Sequence, residues 1–379
     1  MKKRFMSILL AAVMMLSLAA CGTVETPTPA PEKEENPFLN ASPVTIDGLT
    51  LGGGLVEEMP ADEQLDENPD RDIDRAVEPI KPVHGTMLDG KSLNEEFYYY
   101  RSTLDSTKQQ AYDLLRAGML AGKEKIPMTV PIPVKEIFAI YKMVIYDSPE
   151  LFWCEINGSR YAYNNKGIVT YYKPGYNDLV KDIAGNTAKL EAEVSDALAD
   201  IWSLSTDAEK AKYAHDFLTH GVSYDLNAPY NQAAYSSLVN RSSVCAGYTH
   251  GFQYLMQKVG IPCAYVLGYT PGGYHAWNIV KLNGEYYAMD VTWDDPVGAP
   301  EGKYFYNYFN ITDKKLASDH ARAEGSLFIP VAEGTSCSFQ TAFGGKAYGT
   351  DFEAIVGIMP EKIPADTSNT KVEDNPYLS

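Results

Sequence analysis

The sequence predicts an α+β fold, with helices and strands grouped in blocks rather than alternating. Three observations carry this expectation. From Cys245 to Val259 the apolar residues Phe252, Leu255, Met256 and Val259 recur at helical spacing, and Gly260 and Pro262 follow as stop signals. Tyr274–Leu282 and Glu285–Trp293 are rich in β-formers and flank Asn283-Gly284, the strongest short hairpin signal. Further upstream, two helical patterns precede a set of short strands.

Taken in order, the chain begins with Lys2, Lys3 and Arg4, then an apolar run from Met6 to Ala20 that ends in Leu18-Ala19-Ala20-Cys21. A charged start, a short apolar centre and small residues before a cysteine are the marks of a lipoprotein export signal. Residues 1–20 therefore read as a signal peptide, and Cys21 as the lipidated first residue of an exported, membrane-anchored protein. No other run approaches the roughly 18 apolar residues needed to span a bilayer. Residues 21–80 read as an acidic, Pro-rich linker, because like charge and few aromatics leave too little apolar surface to offset ordering. Within it, Ile46–Leu55 with three consecutive glycines predicts a small local element.

Residues 81–185 form an expected N-terminal α+β accessory domain. Helices are predicted over Asn94–Gly118 and, after Pro133, over Val134–Tyr146; strands are predicted over Leu151–Ile156, Ser159–Tyr163 and Ile168–Tyr172, with turns at Asn157-Gly158 and Asn164–Gly167. The aromatic cluster of Tyr98, Tyr99, Tyr100, Phe152, Trp153, Tyr161, Tyr163, Tyr171 and Tyr172 is expected to be core and sheet-facing rather than a ligand platform. Asp147-Ser148-Pro149-Glu150 fits a helix-ending turn.

Residues 186–335 hold the chemistry. An amphipathic helix is predicted over Thr187–Trp202, and Thr206-Asp207-Ala208-Glu209 is a capping box that opens a helix from Asp207 to Thr219. Cys245 then falls in the first turn of its helix, where unsatisfied N–H groups and the helix dipole favour a thiolate. If Asn283-Gly284 is a two-residue turn, Leu282 faces Glu285, and the ladder puts Trp277 opposite Asp290 and His275 opposite Thr292. His275 and Asp290 become diagonal neighbours, roughly 7–8 Å apart at the backbone and within reach of one another's side chains. The pattern fits a nucleophilic site: Cys245 attacks an acyl carbon, His275 accepts and returns the proton, and Asp290 fixes the ring's tautomer. The Cys245 N–H is the natural oxyanion donor, and Gln232 and Tyr235 are weak candidates for a second. Singly, each of the three residues more often has a packing or turn role; their convergence carries the reading.

Other classes are disfavoured. The formal net charge is −18, and no basic patch is present to meet nucleic-acid phosphates. Apart from Cys21 and Cys245, the cysteines are Cys154, Cys263 and Cys337, an odd set without metal-ligand spacing, so no disulfide framework is expected; an oxidising compartment leaves room for one pair among them, with Cys263 read more simply as core. Neither metal nor cofactor is expected, and with no calcium-loop pattern chelators should leave activity intact. His250 follows Cys245 by five residues, roughly 140° around the helix, which makes it an unlikely base.

The segment from about Tyr213 to Asp319 resembles the transglutaminase-like superfamily. The matching residues are Val244-Cys245-Ala246-Gly247-Tyr248, His275-Ala276-Trp277-Asn278-Ile279-Val280 and Asp290-Val291-Thr292-Trp293-Asp294-Asp295-Pro296. Tyr224-Asp225 before the cysteine and Tyr308-Phe309-Asn310 after the triad are similar to the bacterial extracytoplasmic branch. The resemblance implies a papain-like core and acyl transfer or amide hydrolysis through a thioester; with the export signal, the expected substrate is an extracellular protein or cell-wall peptide. The alternative is a catalytically silent peptide- or wall-binding lipoprotein that uses the same groove. A strand is predicted at Ser326–Val331. Residues 336–379 read as an extension with a short element at Ala347–Met359 and a disordered end.

Overall fold

The computed structural model describes residues 44–46, 49–51, 95–271, 273–297 and 304–345 of the 379. The export segment 1–20, Cys21, the rest of the linker and the stretch from 346 onward, with its expected short element and disordered end, lie outside the described residues. Of the local element expected over Ile46–Leu55, the three glycines lie outside the described residues; β2 (Leu49–Leu51) falls within it and pairs antiparallel with β1 (Val44–Ile46).

The predicted helix over Asn94–Gly118 is two helices, α1 (Tyr99–Ser102) and α2 (Ser106–Leu120). Asp105 makes the break, because its side chain accepts from the N–H groups of Thr107 and Lys108 and so caps a new helix. After β3 (Ile126–Pro127), α3 runs over Val134–Asp147 behind Pro133, close to its expected bounds. The two strands expected on either side of Asn157-Gly158 are one, β4 (Cys154–Tyr163), paired with β5 (Val169–Tyr176). The register shifts between Glu155 and Arg160, so Asn157-Gly158 bulges out of a continuous strand instead of reversing it. The turn at Asn164–Gly167 is real: the Asn164 side chain accepts from Lys166 and Ile168 N–H, and Gly167 takes a positive φ. Leu151–Trp153 lies in a turn ahead of β4.

The helix expected over Thr187–Trp202 begins and ends earlier, as α4 (Ile183–Ala197), because Asp182 caps it through Gly185 N–H; a short 3-10 turn, Ile201–Ser203, follows. Thr206 and Glu209 form the predicted capping box of α5 (Asp207–Gly221). A parallel pair of two-residue strands, β6 (Ser223–Tyr224) and β7 (Ser242–Ser243), leads into α6 (Cys245–Lys258). Then come β8 (Cys263–Thr270), β9 (Gly273–Leu282) and β10 (Glu285–Met289). After α7 (Asp313–Leu316), β11 (Ala321–Arg322) completes the antiparallel sheet in the order β10-β9-β8-β11; α8 (Phe339–Phe343) is the last helix among the described residues. Ser326–Val331 is not a strand. Pro330 removes a donor, and the Ser326 hydroxyl instead accepts from Leu267 N–H.

Helix α6 is more central than one apolar face predicts, since every residue from Ala246 to Gln257 is buried. It packs across β8 and β9 and against α5. Such a helix needs internal partners for its polar side chains. Thr249 donates to Cys245 O at 2.8 Å, and the Gln253 amide donates to Tyr146 O and Cys263 O. Tyr146 in turn stacks flat on Tyr265, with ring centroids 4.9 Å apart, so the end of α3 shares one core with β8 and α6. Most of the aromatic cluster is core, with Tyr98, Tyr99, Tyr100, Phe152, Trp153 and Tyr172 buried. Asp147 ends α3 and accepts from Tyr100 N–H, Arg101 N–H and Tyr112 hydroxyl; burial pushes its carboxyl up to about 7 against those bonds. Cys154, Cys263 and Cys337 are buried free thiols. Among the described residues no helix is long and apolar enough to cross a membrane.

Candidate active site

The hairpin brings His275 and Asp290 together, and α6, packed on β9, carries Cys245 at its start. Asn283 and Gly284 both take positive φ (50° and 84°), as a primed two-residue turn requires, and Leu282 pairs with Glu285 as predicted. The ladder then runs to Met289 opposite Asn278 and stops. The strand expected to reach Trp293 ends there for a local reason. Asp290 Oδ1 turns back to accept from Thr292 N–H (3.0 Å) and Trp293 N–H (3.1 Å), which pulls the chain out of the ladder, while its own N–H donates to Tyr308 O. The predicted pairings of Trp277 with Asp290 and of His275 with Thr292 therefore do not form as ladder partners. The diagonal contact that they implied does form: His275 Nε2 donates to Asp290 Oδ2 at 2.7 Å.

Cys245 is the first residue of α6, behind the extended Val244, and is partly exposed. As a first-turn residue its N–H has no partner within the helix. Gly247 allows the preceding loop to close over this helix start, since a Cβ there would meet Ser243 Oγ at 1.9 Å and Asn231 O at 2.6 Å. His275 interacts with Cys245 and with Asp290. Burial alone would disfavour its imidazolium, but the charges and hydrogen bonds of Asp290 and Cys245 outweigh burial and raise it from 6.5 to about 10. Burial works on Asp290 in the opposite sense, yet His275 and then His320 hold its carboxyl well below the usual range. The Asp290 carboxylate is thus a fixed anion behind a ring that readily carries a proton.

His320 is the residue that sequence reasoning missed. Its Nε2 lies 3.0 Å from Asp290 Oδ2, and its Nδ1 lies 2.6 Å from Asp319 Oδ1. It follows α7 in a stretch with no periodic signal, and only its closeness in space to Asp290 marks it. The ring sits among Trp277, Trp293 and Tyr308, at centroid distances of 5.1, 4.3 and 5.5 Å. Gly268 makes room for the Trp277 wall, since a Cβ there would fall 2.3 Å from that ring. His275, Asp290 and His320 offer ligand atoms within 4.8 Å of one another, a spacing that a cation could bridge, and the same atoms are joined by hydrogen bonds.

A second buried acid–base group braces the loop beyond Asp290. His215 reaches Asp216 Oδ1 (3.1 Å) and Asp294 Oδ2 (3.2 Å), Asp294 Oδ1 accepts from Asn307 and Tyr308 N–H, and Asp295 accepts from the Tyr248 hydroxyl. These contacts give the Asp294-Asp295 and Tyr308-Phe309-Asn310 stretches a scaffolding role. Asp225, of the Tyr224-Asp225 element, caps its own turn through Asn227 N–H and accepts from Ser242.

A cavity of about 230 Å³ adjoins the start of α6, where Ala246, the residue after Cys245, is part of its wall. Tyr146, Phe152 and Glu155 line it from the N-terminal segment, and Gln232, His250 and Tyr265 line it from the other side. Burial pushes the Tyr265 hydroxyl well above its usual range, and Tyr146 and then Cys245 raise it further. His250 is not a base for Cys245. Its Nδ1 bonds Gln253 Oε1 at 3.2 Å, and because the Gln253 amide nitrogen donates elsewhere, Nδ1 carries the proton and Nε2 is an acceptor. Burial lowers His250 to about 4 and keeps it neutral. Of the two weak oxyanion candidates, Gln232 lines the cavity and donates to Asn231, whereas the Tyr235 hydroxyl donates to Asn186 Oδ1 at 3.4 Å.

Residues 197–291 match the sequence model of the transglutaminase-like superfamily core, a span that contains Cys245, His275 and Asp290. The chain is 31% identical over 126 residues to the kyphoscoliosis peptidase of Homo sapiens and 30% identical over 117 residues to that of Mus musculus. These matches cover 28% and 26% of this chain but only 19% and 17% of the two peptidases, so it spans less than a fifth of their length. A crystal structure of a TGase aligns with 41% of this chain and 49% of its own, at 16% identity and a TM-score of 0.26.

Proposed function

We propose that this chain, in which residues 197–291 carry a transglutaminase-like core within a mixed helix-and-sheet fold, is a cysteine enzyme that cleaves amide bonds through a Cys245 thioester. The observation that carries the reading is one ring, His275, engaged by Cys245 on one side and by the anchored Asp290 carboxylate on the other, with Cys245 at a helix start. The Cys245 thiolate attacks the amide carbonyl carbon, and the Cys245 N–H stabilises the oxyanion. The tetrahedral adduct collapses as His275 gives its proton to the departing amine, leaving the acyl group on sulfur. Water or a second amine then attacks the thioester, His275 takes the proton released, and the thiolate leaves as the new acid or amide forms. Asp290 stays ionised throughout, holding the ring and its charge.

The substrate side of this proposal is an extracellular protein or a cell-wall peptide, with the residue beside the scissile amide seated in the cavity next to Ala246. Export and anchoring through a lipid on Cys21 complete the proposal and rest on the sequence of residues 1–21 alone. A Cys21→Ala variant that stayed in the membrane fraction would remove that part. The reaction outcome is read by offering a fluorescent primary amine and a Gln-containing protein. Amine incorporation dependent on Cys245 marks transfer, Cys245-dependent release of free acid marks hydrolysis, and neither, with an inert thiol, contradicts the proposal.

A further inference from the structure

Asp290 is held more tightly than a two-residue partnership with His275 requires. Its Oδ1 accepts two backbone N–H groups and its Oδ2 accepts from His275 at 2.7 Å and meets His320 at 3.0 Å, so all four lone-pair directions of the carboxylate are taken. His320 is itself anchored. Its Nδ1 meets Asp319 Oδ1 at 2.6 Å, and Asp319 Oδ2 accepts from the Tyr308 hydroxyl at 2.9 Å. A neutral imidazole has one N–H and one lone pair, so a ring between two ionised carboxylates satisfies both only when each nitrogen carries a proton.

We propose that His320 is a positioning residue for the Asp290–His275 pair, a buried double donor that ties the Asp290 carboxylate to Asp319 and so fixes the angle at which His275 is presented to Cys245. The proposal rests on the role assigned above to His275 and Asp290. The chain Asp319–His320–Asp290–His275 is an orienting strut and moves no proton. Its effect is geometric: without the His320 N–H, Oδ2 of the buried Asp290 has one donor and an open lone pair, and the carboxylate gains freedom to tilt. A loose Asp290 lets the His275 ring rotate off the line to sulfur, which slows proton transfer more than it weakens binding.

Packing and donation are separable by two substitutions. His320→Phe keeps a flat ring in the aromatic box and removes both donors, whereas His320→Gln packs less well and keeps one N–H for Asp290. The probe is p-nitrophenyl acetate, whose acetyl group is taken by Cys245 and then by water, with Cys245→Ser as the blank and thermal melting as the control for folding. A donor role predicts that kcat falls about tenfold or more for His320→Phe, that His320→Gln recovers a substantial part of the loss, and that KM stays within twofold in both. If His320→Phe does not fold, His320→Gln alone decides, with a kcat loss of at least threefold at unchanged KM expected. Equal turnover of wild type and His320→Gln, or His320→Phe as active as His320→Gln, overturns the proposal. If wild type turns over no faster than Cys245→Ser, the reading of the thiol site itself has failed, and that outcome is distinct from a silent His320.

Discussion

Replacing Asp290 by Asn changes one oxygen to an amide nitrogen and leaves four donors facing it, which makes its consequence computable from the structure. The two backbone N–H groups of Thr292 and Trp293 are fixed by the turn and select the remaining oxygen. The new NH₂ then points at His275 Nε2 and His320 Nε2, which must turn lone pairs toward it. For His275 this is the wrong tautomer: the ring proton moves to Nδ1, and the nitrogen left to act as base faces away from Cys245. The charge is lost as well. His275 is raised from 6.5 to about 10 against the penalty of burial, a net preference for imidazolium on the order of 5 kcal/mol, with Asp290 the largest raising influence. Without that anion only Cys245 is left to oppose burial, and the balance shifts toward the neutral ring. The sign for stability follows too. The folded-state value lies above the unfolded one, so the pair stabilises the fold fully below pH 6.5 and loses that contribution as pH rises through about 10; Asn removes this dependence. The assay is the rate of p-nitrophenyl acetate turnover between pH 5 and 10.5, with circular dichroism as the control for folding. We expect kcat at pH 7.5 to fall by roughly 10²–10⁴ and the alkaline limb near pH 10 to disappear. A folded Asp290→Asn enzyme within twofold of wild type, with its alkaline limb unmoved, would refute the tautomer argument.

Two further perturbations address the frame around the site. Gly247→Ala places a Cβ 1.9 Å from Ser243 Oγ and 2.6 Å from Asn231 O, where backbone must shift; we expect a loss of about 1–3 kcal/mol in urea unfolding, and an unchanged midpoint would show that the loop does not press on the helix start. Glu155→Lys reverses a charge at the cavity wall without touching Cys245 or its partners. Reaction with a protein donor such as dimethylated casein should change severalfold in KM, while p-nitrophenyl acetate, too small to fill the cavity, should be turned over as before; parallel changes would mean that the cavity does not hold substrate.

Much of this site was legible in the sequence because its signals are local. A capping box at Thr206, a primed turn at Asn283-Gly284 and a helix opening at Cys245 each depend on a few neighbouring residues, and each forms in the structure. The register from the turn predicted that His275 and Asp290 would meet even though the ladder ends at Met289. What failed were boundaries set by side chains that fold back on their own backbone. Asp105 splits one predicted helix, Asp182 starts another early, and Asp290 ends a strand, in each case through carboxylate bonds to N–H groups two or three residues on. His320 was illegible for another reason. Its role arises from a contact across 30 residues, and neither its spacing nor its neighbours carry a periodic or motif signal.

The most direct measurement of the central claim is the intact mass of the protein, quenched in acid during turnover of p-nitrophenyl acetate and followed by peptide mapping. The account predicts one added acetyl group on the peptide that contains Cys245, labile to hydroxylamine as a thioester is, strongly reduced in Asp290→Asn and absent in Cys245→Ser. An acetyl group on another residue, or equal labelling in Cys245→Ser, would contradict it.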